Sequence, residues 1–212
     1  MKGFSIKTII YIDGQNFLYR AAEYIIAAGL ASNKQDIHAI DLPFLFNQFT
    51  STKDLEIRYY SVANIRRQDH YGPEIYEKSV LFADNLRRLR SYLTKTGVIF
   101  KPAGTLKVRE RDICKTCGTA DYKLQEKGVD VGLAVDLVTD AFQGEVDHII
   151  LVSSDTDLIP ALRIVKAINK TLTYVSFPDQ QTLAIARLAD TVEIISNEKI
   201  IEAYRRTFDI AS

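Results

Sequence analysis

Ile149-Ile150-Leu151-Val152-Ser153-Ser154-Asp155-Thr156-Asp157 is the stretch that sets the fold class of this chain. Four consecutive apolar residues bounded by serine and aspartate are the pattern of a strand buried on both faces that ends in a turn. Such strands belong to parallel sheets, and open α/β sheets bind their ligands at the carboxyl ends of the strands. The pattern recurs near the N-terminus, where Ile9-Ile10-Tyr11-Ile12 runs into Asp13, Gly14, Gln15 and Asn16. Two acid-bearing strand ends in one sheet point to one shared pocket.

Working outward, helical and strand patterns alternate. Helices are predicted over 17–28, from Asp41 with Pro43 in the first turn, from Gly72-Pro73 through Leu93, and over 128–142, 157–169, 180–188 and 198–208. Strands are predicted over 55–62, 98–100, 148–152, 172–175 and 192–195. Alternation of this kind means βαβ units: an α/β, three-layer fold with a mostly parallel central sheet flanked by helices. Residues 102–127 break the pattern. There Leu106-Lys107-Val108-Arg109 alternates and Cys114-Lys115-Thr116-Cys117-Gly118 can turn the chain back, so a hairpin-like insertion is expected. We read 1–212 as a single domain.

Net charge is zero, with 27 Lys and Arg against 27 Asp and Glu, so no global field attracts a polyanion. Distribution matters more than the total. Residues 63–127 hold fourteen Lys and Arg against eight Asp and Glu, whereas residues 128–162 hold seven acids and no Lys or Arg. The chain shows no signal-peptide core at Met1–Ser5 and no segment long enough to span a membrane, so a cytoplasmic protein without a membrane partner is expected.

An Asp where a strand hands over to a helix most often caps the helix. Two in Ser153-Ser154-Asp155-Thr156-Asp157 exceed what a cap requires, and Asp13 at the end of a buried strand is costly unless a cation is near. Asp130 opens the apolar helix after Gly128-Val129, while Asp136 further along is either cation-paired or close to the pocket. Asp13, Asp130, Asp155 and Asp157 converging would need a hard cation, Mg²⁺ or Mn²⁺, to offset their repulsion. Asn16 can orient a water or a phosphate oxygen. Asp140, Glu145 and Asp147 are expected on a solvated helix end and loop.

Three motifs now combine: Ile12-Asp13-Gly14-Gln15-Asn16-Phe17, Glu126-Lys127-Gly128-Val129-Asp130-Val131, and Leu151-Val152-Ser153-Ser154-Asp155-Thr156-Asp157-Leu158-Ile159-Pro160. In order and spacing they resemble the NYN domain family, in the LabA-like branch of the PIN-like nucleases. The resemblance covers nearly the whole chain. It implies a PIN-like, Rossmann-like sheet and a metal-dependent ribonuclease with Asp13, Asn16, Asp130, Asp155 and Asp157 as its site, and single-stranded RNA is the expected substrate. Ser153-Ser154 departs from the Ser-Gly common before the Asp, and the basic loop 64–71 is no family signature. The alternative is an RNA-binding or regulatory module of the same fold with weak or no catalysis.

Arg66, Arg67, Lys107, Arg109 and Arg111 are candidate phosphate contacts, and Tyr71 or Tyr122 could stack on an unpaired base. Cys114 and Cys117 supply half of a zinc site; His38, His70 or His148, or a second chain in a homodimer, would have to supply the rest. An aspartyl-phosphate enzyme built on Asp13 would want an Asp two residues on, where Gln15 stands. A topoisomerase-primase-like metal site would want Glu at the earlier strand end, where this chain has Asp13.

Overall fold

A strand can bury both faces only in the middle of a layered structure, and Thr8–Asp13 does so along all six residues. The computed structural model describes residues 6–50, 52, 54–63, 71–110 and 122–210. Along them run β1 (Thr8–Asp13), α1 (Gly14–Ala27), α2 (Leu42–Phe46), β2 (Leu55–Ser61), α3 (Pro73–Lys95) and β3 (Ile99–Pro102). There follow β4 (Thr105–Glu110), β5 (Tyr122–Lys127), α4 (Val129–Gln143), β6 (His148–Val152) and α5 (Ile159–Ala167). The chain ends in β7 (Thr171–Ser176), α6 (Leu183–Ala186), β8 (Thr191–Ile194) and α7 (Asn197–Ile210).

Six strands pair in parallel in the order β3-β2-β1-β6-β7-β8, and β4 pairs with β5 as an antiparallel hairpin. The strand alternation divides the core in two. Ile10 and Ile12 face Phe17, Ala21 and Ile25 of α1, Phe46 of α2 and Ile200 of α7. Ile9 and Tyr11 face Leu133 and Leu137 of α4 and Leu162 and Val165 of α5. The three-layer α/β architecture and the hairpin expected over 102–127 are both present.

Boundaries differ where side chains intervene. Helix α1 starts at Gly14 because the Asp13 carboxylate accepts from Asn16 N at 3.2 Å. A Cβ at Gly14 would lie 2.5 Å from the Tyr60 carbonyl, so only glycine lets the helix leave β1 this close to β2. The helix predicted over 157–169 is shortened to α5, because Asp155 caps a tight turn over Thr156–Leu158 first. Only four residues of the helix predicted over 180–188 form, as α6. The segment before it is tied across the fold, with Thr182 donating through N to Tyr174 Oη and through Oγ1 to the Ser154 carbonyl.

Asp140 is not solvated. It accepts from Tyr11 Oη at 2.6 Å and pairs with Arg58 of β2, which also holds Glu56. Asp136 is cation-paired, 2.8 Å from Lys101 Nζ, and accepts from Tyr60 Oη at 3.0 Å. Glu145 and Asp147 do lie at the surface, near Lys7 and Lys170. Removing one partner of a largely buried pair strands the other charge. Asp140→Ala should therefore cost about 3 kcal/mol in urea unfolding, while Asp147→Ala should cost under about 1 kcal/mol.

Candidate metal centre

The strand order reverses between β1 and β6, so their connections depart to opposite sides and leave a crevice at their carboxyl ends. Ile12 pairs with Val152 there, which sets Asp13 beside the turn 153–157. Ser153 joins them. Its hydroxyl donates to Asp13 Oδ2 at 3.1 Å and accepts from Asp155 N at 3.1 Å. Asp155 Oδ1 in turn accepts from Asp157 N at 2.9 Å, aligning both acids on one tight turn.

Asp130, in the first turn of α4, completes the group. One carboxylate oxygen from each of Asp130, Asp155 and Asp157 lies within 4.8 Å of the others. None of the three has a cation partner among the described residues. Asp130 and Asp155 are half-buried and Asp157 is exposed, so the set is open to an incoming ion. Carboxylate oxygens are hard donors suited to Mg²⁺ or Mn²⁺, and the donor set fits such an ion.

Asp13 lines the same cleft, of about 380 Å³, with Asp130 and Asp155, but stands outside the three-carboxylate group. Burial raises its pKa, against the hydrogen bonds from Asn16 N and Ser153, and the charges of Asp155 and Asp130 add to the rise. Asn16 is turned to the neighbouring strand end. Its amide Nδ2 donates to Ser154 Oγ at 3.1 Å, and Ser154 Oγ donates back to Asn16 Oδ1 at 3.2 Å.

Glu126 is the residue that sequence reasoning missed, although it was quoted within a motif. It lines the cleft, and its carboxyl is pushed up to about 7 by burial and then by the Asp13 charge. Oε2 is buried with no hydrogen-bond partner among the described residues. The available signal is the alternation of β5, which sets Glu126 on the packed face with Tyr122 and Leu124.

On the opposite face of the hairpin, strand register gathers Lys107, Arg109, Lys123 and Lys127, all exposed. Lys107 and Arg109 were expected as phosphate contacts; pairing adds Lys123 and Lys127. Tyr71 and Tyr122 pack edge to face on each other, 5.3 Å between ring centres. Arg66, Arg67, Arg111, His70, Cys114 and Cys117 lie outside the described residues. His148 bonds Thr173 Oγ1 at 2.8 Å and is satisfied within the sheet.

The profile of the NYN domain matches residues 7–197. This chain belongs to the NYN domain family. The NYN domain places it in the PIN-like nuclease superfamily, as the three motifs implied. It is 27% identical over 176 residues to 6-hydroxy-3-succinoylpyridine 3-monooxygenase HspA of Pseudomonas putida. That match covers 76% of this NYN protein and 56% of the relative, so the chain spans little more than half the relative's length. The crystal structure of VPA0982 from Vibrio parahaemolyticus, a protein of unknown function, has the same fold. The TM-score is 0.57 at 21% identity, over 92% of this chain and 97% of that one. Among the described residues no helix is long and apolar enough to cross a membrane.

Because Glu126 has a raised pKa in the fold, the folded protein binds more protons than the unfolded chain between about 4.5 and about 7. Stability is therefore lost as pH rises through that window. Without divalent metal, Glu126→Gln should match the wild type near pH 4.5 and exceed it at pH 8 by on the order of 1–2 kcal/mol, read by urea unfolding.

Proposed function

We propose that this NYN domain, acting as one unit over residues 1–212, is a metal-dependent ribonuclease that hydrolyses phosphodiester bonds of single-stranded RNA. One observation carries the reading: Asp130, Asp155 and Asp157 converge at the switch point of the sheet with no cation partner among the described residues. A Mg²⁺ or Mn²⁺ ion held by these three would supply Lewis acidity, activating a water and offsetting charge on the phosphate.

The chain's own groups supply the remainder. Asp13, fixed by Asn16 N and Ser153 Oγ, lines the cleft beside the three clustered carboxylates and keeps its geometry. Glu126, which lines the cleft with a carboxyl raised by burial, is the chain's candidate acid for the departing 3′-oxygen, leaving a 5′-phosphate on the product. The exposed face of Lys107, Arg109, Lys123 and Lys127 attracts the RNA backbone and leads to the cleft, which Lys127 itself lines.

Purified protein with Mn²⁺ should cleave a single-stranded RNA, and Asp155→Asn should lower the rate by at least about 100-fold. Equal rates in the two proteins would assign the cleavage to a contaminant and leave the non-catalytic RNA-binding alternative. Separately, Lys107→Ala with Arg109→Ala should weaken RNA binding across sequences. The slope of log affinity against log salt should become shallower by about 0.7 for each lost contact, read by filter binding.

A further inference from the structure

Beside the acid cleft, between α1 and α3, lies a second cavity of about 280 Å³. Leu18 of α1 and Phe82, Leu86 and Leu89 of α3 give it apolar walls. The three α3 residues belong to the stripe by which that helix buries itself. Ile75 and Leu93, nearer the ends of the stripe, are buried, but Phe82, Leu86 and Leu89 stay half-buried because they front the cavity.

Polar groups also line this cavity. Lys34 Nζ is held 3.2 Å from the centre of the Tyr19 ring, and both residues line it. Asn85 adds an amide from α3, and Glu126 adds the carboxyl whose Oε2 lacks a partner among the described residues. Gln15 and Glu126 line the acid cleft as well, so the two cavities adjoin.

Apolar walls combined with hydrogen-bonding groups suit a flat ring with apolar faces and a polar edge. An aliphatic chain would leave Lys34, Asn85 and Glu126 unsatisfied, and a sugar would set hydroxyls against Phe82 and Leu86. We propose that this cavity is a subsite for one planar heteroaromatic ring, the unpaired nucleobase beside the phosphodiester that the acid cleft takes. The choice of occupant rests on the nuclease reading; the ring-shaped chemistry of the cavity does not. A base paired in a duplex cannot enter without leaving its stack, so the subsite selects single-stranded substrate. Enclosing a base between apolar side chains offsets the loss of its neighbours in the strand.

The test uses Asp155→Asn protein, which separates binding from cleavage, titrated with a single-stranded RNA carrying one 2-aminopurine and with 2-aminopurine riboside alone. The oligonucleotide should change the fluorescence saturably, and Asn85→Phe, which fills the cavity, should weaken this at least tenfold. Tyr19→Ala, which frees Lys34, should weaken it less. Unchanged far-UV circular dichroism would show that both variants fold. In cleavage by the otherwise native protein, an abasic nucleotide beside the cut should raise KM at least tenfold. Equal binding by a folded Asn85→Phe protein, or indifference to the abasic site, overturns the proposal. Riboside binding as tight as that of the oligonucleotide assigns the cavity to a free heteroaromatic compound and overturns the nucleobase placement. Cavity-dependent oligonucleotide binding without cleavage in any protein would sink the nuclease reading and leave the subsite standing.

Discussion

β1 and β6 lie side by side in the same direction, with Ile12 opposite Val152, and the chemistry of this NYN domain depends on that pairing. Both strands are buried and end at one level, so the residues that follow them meet where the sheet reverses its order. Ser153 converts proximity into a fixed geometry, since its hydroxyl serves Asp13 and the Asp155 amide together. The Asn16–Ser154 pair repeats the tie one residue further on. With two turns locked in this way, α4 has only to bring Asp130 alongside.

The charge pattern of 128–162 is informative in a different way from its appearance along the chain. A stretch with seven acids and no Lys or Arg suggests that a metal must replace the missing cations. Folding supplies cations from elsewhere: Arg58 from β2 reaches Asp140, Lys101 from β3 reaches Asp136, and Lys7 and Lys170 approach Glu145 and Asp147. Local absence of positive residues therefore carried little electrostatic information. What discriminates is spatial, because Asp130, Asp155 and Asp157 stay without such a partner among the described residues.

The central strands were legible because burial on both faces demands an unbroken apolar run, and little else produces Ile149-Ile150-Leu151-Val152. The hairpin was legible from alternation, as were the long helices α3 and α4 from their apolar stripes. Asp13, Asp130, Asp155 and Asp157 were legible as acids at element boundaries. Which three come within ligand distance was not, since that depends on turn geometry over a few ångströms. Alternation along β5 could place Glu126 on the packed face, but its burial against α3 and its raised pKa beside Asp13 depend on neighbours that one strand's sequence does not show. Lys123 escaped for a related reason: only the register Arg109↔Lys123 puts it on the basic face.

That register has a further consequence. Because side chains alternate along β5, one strand presents Lys123 and Lys127 outward and Glu126 inward, and then passes directly into α4 and Asp130. Gly104 and Gly128 let the base of the hairpin close, with positive φ angles of 69° and 80° and almost no room for a Cβ at Gly104. Half of the basic face, the buried Glu126 carboxyl and one of the three clustered carboxylates are thus set by a single short segment. On the proposed reading, a polyanion drawn along the basic face would meet three carboxylates that repel it unless a cation offsets their charge. In the proposed reading, metal and RNA binding are reciprocally coupled through charge alone, with no conformational change required.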